Sequence, residues 1–467
     1  MTFRLEGPKC FAPELTYTFH VLLNDLFGLD LADDVHDAEQ IALVLPEGQR
    51  IIFETSLFSA TPEALYSAKA AAEFNLTHWA VPPAFQTTGI PDDLPLITSQ
   101  GEETSAPLAI ISSDAQEIRV GGDLPGSAFF WLSRMEEFLR PECDHHGRFP
   151  GALSLANRAG LLQRPVVNHM AAFVIRAIQT LAPQTPIRDG HYQVVMTHDV
   201  DRPFSTVGRR VRKLPRILAS DLLKRRSPML ALRRIFGAIA GIGGDPKYDP
   251  NNTFCFLMDM AEKWGVECHF YFIFGTRPEV IAEHYEPGDL RIRAIIRQAA
   301  ARGHRIGLHP SYETWRDPAL LREEADRMRE IAKQEGVEQD QWGGRQHILR
   351  WDPAETWRHW DTLGLDYDST MHFAGLPGFR TGCCSEHSIF DIKTRRTLHI
   401  RERPLMAMDV SYSNYLKYGH EETLASIENM ANEVRAVKGT LTLLWHQDSL
   451  VRSVDKKFYN QLLEKLI

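Results

Sequence analysis

Apolar runs bounded by turns, and stretches with a helical repeat, divide the chain into two regions of different regularity. In the first region Ile41–Pro46, Arg50–Glu54 and Leu108–Ser113 read as strands. The stretch Phe129–Pro150 (FFWLSRMEEFLRPECDHHGRFP) begins as an apolar-rich helix and ends as a polar loop, and Asn168–Leu181 has the period of an amphipathic helix. The turn-rich run Ala182–Gly190 (APQTPIRDG) marks a boundary. These features predict a smaller α/β N-terminal domain over 1–188 and a second domain over 189–467.

Beyond that boundary the pattern becomes regular. Expected strands are Gln193–Asp201, Cys268–Gly275, Arg305–Leu308 and Leu441–His446. Expected helices are Asn252–Gly265, Asp289–Gly303, Pro353–Gly364 and Thr423–Gly439. Another should open at Asp317-Pro318, where Asp suits the N-cap and Pro the first helical position, and run to about Gly336. Strands alternating with helices imply a parallel sheet or barrel covered by helices. In such folds ligands sit at the C-terminal ends of the strands.

Four such ends carry groups that bind metals or move protons. The first is Thr197-His198-Asp199-Val200-Asp201, where Asp199 and Asp201 share one face of a strand and His198 points away. Two carboxylates so close repel unless a cation lies between them. The second is Leu308-His309-Pro310, with Glu313 expected one helical turn from His309 and able to share a ligand with it. The third is Trp445-His446. The fourth is Arg345-Gln346-His347, after Gly343-Gly344, in which the Arg can fix a carboxylate.

Composition narrows the class. Of 467 residues, 43% are hydrophobic and 24% charged, which fits a globular enzyme and excludes disorder or a coiled coil over the whole chain. A net charge of -9 argues against a nucleic-acid binder. There is no apolar run long enough to span a bilayer, no visible signal peptide, and no CxxC among the six cysteines, so a reducing cytoplasm is expected. One segment breaks the acidic balance: between Arg209 and Arg234 there are ten Lys or Arg residues and one acid, Asp221, interleaved with apolar residues. A solvated helix pair would explain it, and so would contact with a membrane surface or an anionic substrate.

Other clusters are weaker. Cys143-Asp144-His145-His146 sits in an expected loop without a matching partner set, Cys383-Cys384 reads as buried packing, and Gly241–Gly244 lacks the Lys-Ser/Thr of a phosphate loop. Gly378–Gly382 could form a substrate loop in which Arg380 binds an anionic group.

The ordered set of Asp-x-Asp, Gly-His-x-Ile-Gly-x-His, an Arg before a helix, Tyr-Asp-Ser and Leu-x-His resembles the polysaccharide deacetylase family, the NodB-homology group, over roughly 193–467. The resemblance implies a distorted (β/α) barrel and a divalent metal, Zn²⁺ first among candidates, that hydrolyses acyl groups on carbohydrates. It implies Asp199 as catalytic base, Asp201 and His309 as metal ligands, Arg345 as the residue that orients the base, Asp368 as a supporting acid and His446 as general acid. Arg380, Tyr312 and His347 would line the substrate. This chain departs from the pattern: the usual adjacent Asp-Asp is Asp-Val-Asp, and the second metal His is Glu313, a legitimate ligand for Zn²⁺.

The segments FFWLSRMEEFLRP and HGRFP resemble the extra domain that accompanies such deacetylases in some bacterial surface-polysaccharide systems. The expected function is metal-dependent removal of an N-acetyl or N-formyl group from a carbohydrate, with a substrate that could be lipid-linked and peripheral membrane contact through 209–234. Alternatives are hydrolysis of another C–N bond in a small metabolite and an inactive glycan-binding protein. The sequence sets no oligomeric state.

Overall fold

The computed structural model describes residues 2–67, 74–98, 106–207 and 212–467. The chain is mixed α/β with parallel strands. It divides into two compact units. The first holds Met1–Gln193, Trp351–Met406 and Asn429–Leu441; the second holds Val194–Arg350, Ala407–Glu428 and Thr442–Ile467. The first crossing lies just beyond the expected boundary, but two later segments of 189–467 pack with the N-terminal region.

In the first unit Thr2–Gly7 lies between Asp30–Asp37, to which it is parallel, and Ile41–Val44, to which it is antiparallel. Ile41–Val44 pairs on with Arg50–Phe53, then Glu117–Val120, then Ala109–Ile111. Every residue of Ile41–Val44 is buried, as its unbroken apolar run requires. Asp30–Asp37 (DLADDVHD) is the reverse: mostly exposed, it forms an edge whose charges discourage further pairing. The helix Leu124–Leu132 starts before the expected Phe129, where Asp123 caps Gly126 N–H at 2.8 Å, and it is buried on all sides. From the returning segment, Phe390 packs against Tyr17 and Phe129 at ring-centroid distances of 5.1 and 5.2 Å.

In the second unit the strands run in the order Gly343–Gly344, Arg305–Leu308, Glu267–Phe272, Gln193–Val200, Thr440–Leu444 and Ala407–Met408. Glu267–Phe272 is parallel to both neighbours, with Tyr271 opposite Asp199 on one side and Gly307 on the other. Helices Phe254–Trp264, Leu290–Ala301 and Pro318–Gln334 occupy the crossovers; Asp317 caps the last by accepting from Leu320 N–H at 2.9 Å. Among the described residues no pairing closes this row into a ring.

The short strand Gly343–Gly344 shows why glycine is needed there. A Cβ on Gly344 would lie 1.8 Å from the carbonyl oxygen of Leu308. That close approach lets Arg345 N–H donate to the same oxygen at 2.9 Å and fixes where the arginine leaves the sheet. Gly344→Ala is therefore expected to destabilise the fold by about 3 kcal/mol, the upper part of the overpacking range, and to lower activity as Arg345 shifts. Thermal melting of the purified variant checks this; an unchanged midpoint would show that the strands can part at no cost.

Candidate metal centre and catalytic groups

Because the strands are parallel, their C-terminal ends bring Asp199, Asp201, His309, Arg345, His347, Asp409 and His446 to one side of the second unit. His198 points away, as the alternation requires, and donates from Nδ1 to the Trp445 carbonyl at 2.6 Å.

Asp199 is buried, and its Oδ1 accepts from Arg345 at 2.8 Å. Arg345 also donates to Thr197 Oγ1 at 3.0 Å and lies over the Tyr271 ring, 5.1 Å from its centroid. With Oδ1 so engaged, Oδ2 of Asp199 faces His309 Nε2 at 3.7 Å.

Asp201, His309 and His347 form the group, among the described residues, whose ligand atoms all lie within 4.8 Å of one another. Asp201 Oδ1 is 3.4 Å from His309 Nε2 and 3.5 Å from His347 Nδ1, and the two ring nitrogens face each other at 2.9 Å. His309 Nδ1 donates to the Arg345 carbonyl at 2.7 Å, which fixes the tautomer and turns the Nε2 lone pair inward. Asp201 Oδ1 is buried with no hydrogen-bond partner. A carboxylate oxygen without a donor and two inward imidazole nitrogens form a donor set that suits a divalent cation, with three protein ligands and an open position.

The electrostatics of Asp201 and His347 agree with this reading. Burial opposes ionisation of Asp201, but the imidazoles of His347 and His309 hold its carboxyl well below the usual range. Burial pushes His347 down to about 3, so at neutral pH it is an uncharged imidazole, the form that binds metals. Burial also works against charge on His309, yet Asp199 and Asp201 outweigh it and raise its pKa.

His446 follows the strand Thr440–Leu444, and its Nδ1 donates to Asp409 Oδ1 at 2.7 Å. Burial lowers the His446 pKa, but the Asp409 carboxylate, with Asp201 and Asp199 behind it, raises it to about 10. Asp409 was not expected from the sequence, although Leu405–Met408 is an apolar run ending in an acid, the same signal that marked Asp199. His284 was missed too. Its Nδ1 donates to the Asp201 carbonyl at 3.2 Å, its ring stands perpendicular to His347, and it lines a cavity of about 800 Å³ with Phe204, Arg212, Lys213, Tyr285 and Arg291.

Three expectations differ from the observed geometry. Glu313 is exposed and does not belong to the ligand group. No α-helix follows Pro310: Ser311 is extended, and Tyr312–Arg316 is a short 3₁₀ turn, so the expected one-turn offset from His309 does not exist. His347, expected to line the substrate, is the third member of that group instead. Arg380, expected to bind a substrate anion, is buried in the first unit, where its Nε donates to Glu137 at 2.9 Å and its Nη1 to the His372 carbonyl at 3.1 Å. Glu137 also accepts from buried Arg134 at 2.8 Å. Glu137→Gln would leave two buried guanidiniums without their carboxylate, and a loss of about 3–5 kcal/mol is expected in urea unfolding; a loss below that of a surface pair would make the cluster incidental.

The remaining expected residues fall as follows. The Tyr312 ring lies beneath Arg350, 3.8 Å from the guanidinium carbon. Asp368 belongs to the first unit, where it is buried and accepts from Trp357 Nε1 at 3.0 Å and from Thr370. Asp144 of the Cys143–His146 cluster is taken by Arg148 at 2.7 Å.

Residues 5–183 match a family model described as "Family of unknown function (DUF7033)". A search of curated proteins finds no match. Among solved structures, the chain is similar to a "putative polysaccharide deacetylase from Mycobacterium smegmatis", with 15% identity and a TM-score of 0.39, over 60% of this chain and 85% of that one.

Proposed function

We infer that this chain is a metal-dependent hydrolase that removes an N-acyl group, acetyl or formyl, from a carbohydrate in bacterial surface glycan biosynthesis, in the cytoplasm. The observation that carries this reading is the placement of an Asp201–His309–His347 ligand group between a carboxylate held by an arginine and an imidazole held by a carboxylate. Parallel strands alternating with helices around that site support the reading.

A divalent cation bound there would supply an acidified water and a polarised acyl oxygen. The chain's own groups account for the proton movements. Asp199 is the base: Arg345 fixes one of its oxygens and leaves the other on the ligand side to take a proton. His446 is the acid: Asp409 orients its ring and keeps it protonated at neutral pH, so its Nε2 can protonate the departing amine. An amine leaves poorly without that proton. The inactive-protein alternative was favoured if Glu313 abolished metal binding, and a candidate third ligand in His347 counts against it.

The test is element analysis of the purified protein together with acetate or formate release from N-acylated sugars, free and lipid-linked. Metal binding with release from a sugar supports the reading. Release only from small non-carbohydrate amides would move the substrate class, and metal-free protein without any release would remove the proposal.

A further inference from the structure

The basic stretch becomes two helices, Leu214–Leu223 and Pro228–Ala240, with Arg209 and Arg210 outside the described residues. The second helix is inside out. Its inward positions are Leu230, Ala231, Arg234 and Gly237, and Arg234 is buried with its Nε donating to buried Asp221 at 2.7 Å. Its outward positions are Met229, Leu232, Ile235, Phe236 and Ile239, exposed by 41–68%. Ile242, just after the helix, is 85% exposed, and Leu222 and Leu223 end the preceding helix at 49% and 78%. Single exposed apolar residues are ordinary, but a continuous stripe of them along one helix is not.

The charges around the stripe indicate what covers it. Among the described residues Arg216, Lys224, Arg226 and Arg233 pair with no carboxylate, and all four are exposed. At the base of the pair a cavity of about 370 Å³ is lined by Arg202, Lys213, Arg216, Arg225 and Arg234 against Glu283 and Asp448. A protein partner would need an acidic and apolar face of matching outline. An anionic bilayer offers both chemistries at once, phosphates at the level of the cations and acyl chains below them, and an apolar helix face flanked by Lys and Arg is the form that lies in that interface. None of the described helices is long and apolar enough to cross a membrane, so the mode is surface insertion.

We propose that the helix pair 214–242 is a monotopic anchor that inserts its Met229–Ile242 face into an anionic phospholipid bilayer. Lys213 lines both the 800 Å³ cavity beside His284 and the smaller basic one, so the anchor starts at the rim of the candidate site. Docking would then bring that rim to the membrane, where lipid-linked glycans are found. The docking does not depend on the hydrolase reading.

The full chain is sedimented with vesicles of phosphatidylcholine alone and of phosphatidylcholine mixed with phosphatidylglycerol, at low and high salt. Binding to the anionic vesicles, weakened by salt, is expected. Changing Lys224, Arg226 and Arg233 to Gln should weaken it roughly hundredfold, from the contribution of each cation near an anionic surface. Leu232→Gln with Phe236→Gln should abolish it while the circular dichroism melt stays unchanged, because both side chains are more than half exposed. Wild-type protein that ignores anionic vesicles at low salt overturns the proposal, as does full binding by the Leu232/Phe236 variant. Wild type that ignores vesicles but self-associates through these residues would assign the face to a second copy instead. Loss of vesicle binding with intact hydrolysis of soluble sugars would separate this inference from the assignment of the active site.

Discussion

His347→Ala is expected to lose bound metal, and with it all turnover, while Glu313→Ala keeps both. The contrast follows from geometry. His347 Nδ1 lies 3.5 Å from Asp201 Oδ1 and 2.9 Å from His309 Nε2, whereas Glu313 is exposed on a 3₁₀ turn. Removing one of three protein ligands leaves two, too few to compete with water for a cation. His309→Ala should do the same, with a further effect: its Nδ1 bond to the Arg345 carbonyl disappears, so the arginine that holds Asp199 is less well fixed. Element analysis after dialysis, with a circular dichroism spectrum as the folding control, reads the result. Stoichiometric metal in His347→Ala, or its loss in Glu313→Ala, would reverse the assignment.

The second large effect concerns the acid and the base. Asp199→Asn and His446→Ala should each lower kcat by about 10²–10⁴-fold, the range for a positioned proton-transfer group, with metal content near that of wild type. Asp409→Asn separates orientation from acidity. Burial alone depresses the His446 pKa, and the Asp409 carboxylate is the largest of the charges that raise it to about 10. Without that charge the pKa falls, the protonated fraction near neutrality shrinks, and the alkaline limb of kcat/KM moves to lower pH. A merely structural Asp409 would lower activity at every pH and leave the limb in place. The linkage has a stability counterpart. With a folded pKa near 10 against 6.5 unfolded, the His446–Asp409 pair stabilises the fold fully below about pH 6.5, and that contribution is lost as pH rises through about 10. The melting-temperature gap between wild type and Asp409→Asn should close over the same window.

Much of the candidate site was legible because a parallel sheet puts strand ends together, and apolar runs leading to Asp199, His309 and His446 announce such ends. The misses have local causes. His347 follows a strand of two glycines, which has no periodicity, and is followed by Ile348 and Leu349 at φ 58° and 57°. A β-branched residue in that region is uncommon, so no sequence rule turns the chain there, yet the turn belongs to the residue next to a ligand. Asp409 ends the apolar run Leu405–Met408, a weak form of the signal at Asp199, because only Ala407–Met408 of it is strand. Glu313 was drawn in by assuming an α-helix after His-Pro. In the first unit, Asp30–Asp37 hides its strand behind four acids, since an edge strand needs no apolar alternation. The return of 351–406 and 429–441 to the N-terminal unit rests on contacts between residues hundreds of positions apart, such as Tyr17 Oη donating to the Ser388 carbonyl at 3.0 Å.

That interleaving governs how the chain can be made and cut. The strand Thr440–Leu444, which leads to His446, lies between Gln193–Val200 and Ala407–Met408, so a nascent chain cannot complete the second unit until nearly its whole length has left the ribosome. The N-terminal unit waits almost as long, for Trp351–Met406 and Asn429–Leu441. A fragment beginning near residue 188 would not be a self-contained unit. Cutting there would strip Phe390 of Tyr17 and Phe129 and expose a buried aromatic cluster to aggregation. The N-terminal region and the segments that return to it are therefore expected to be expressed and to evolve as one unit, whatever else that unit does.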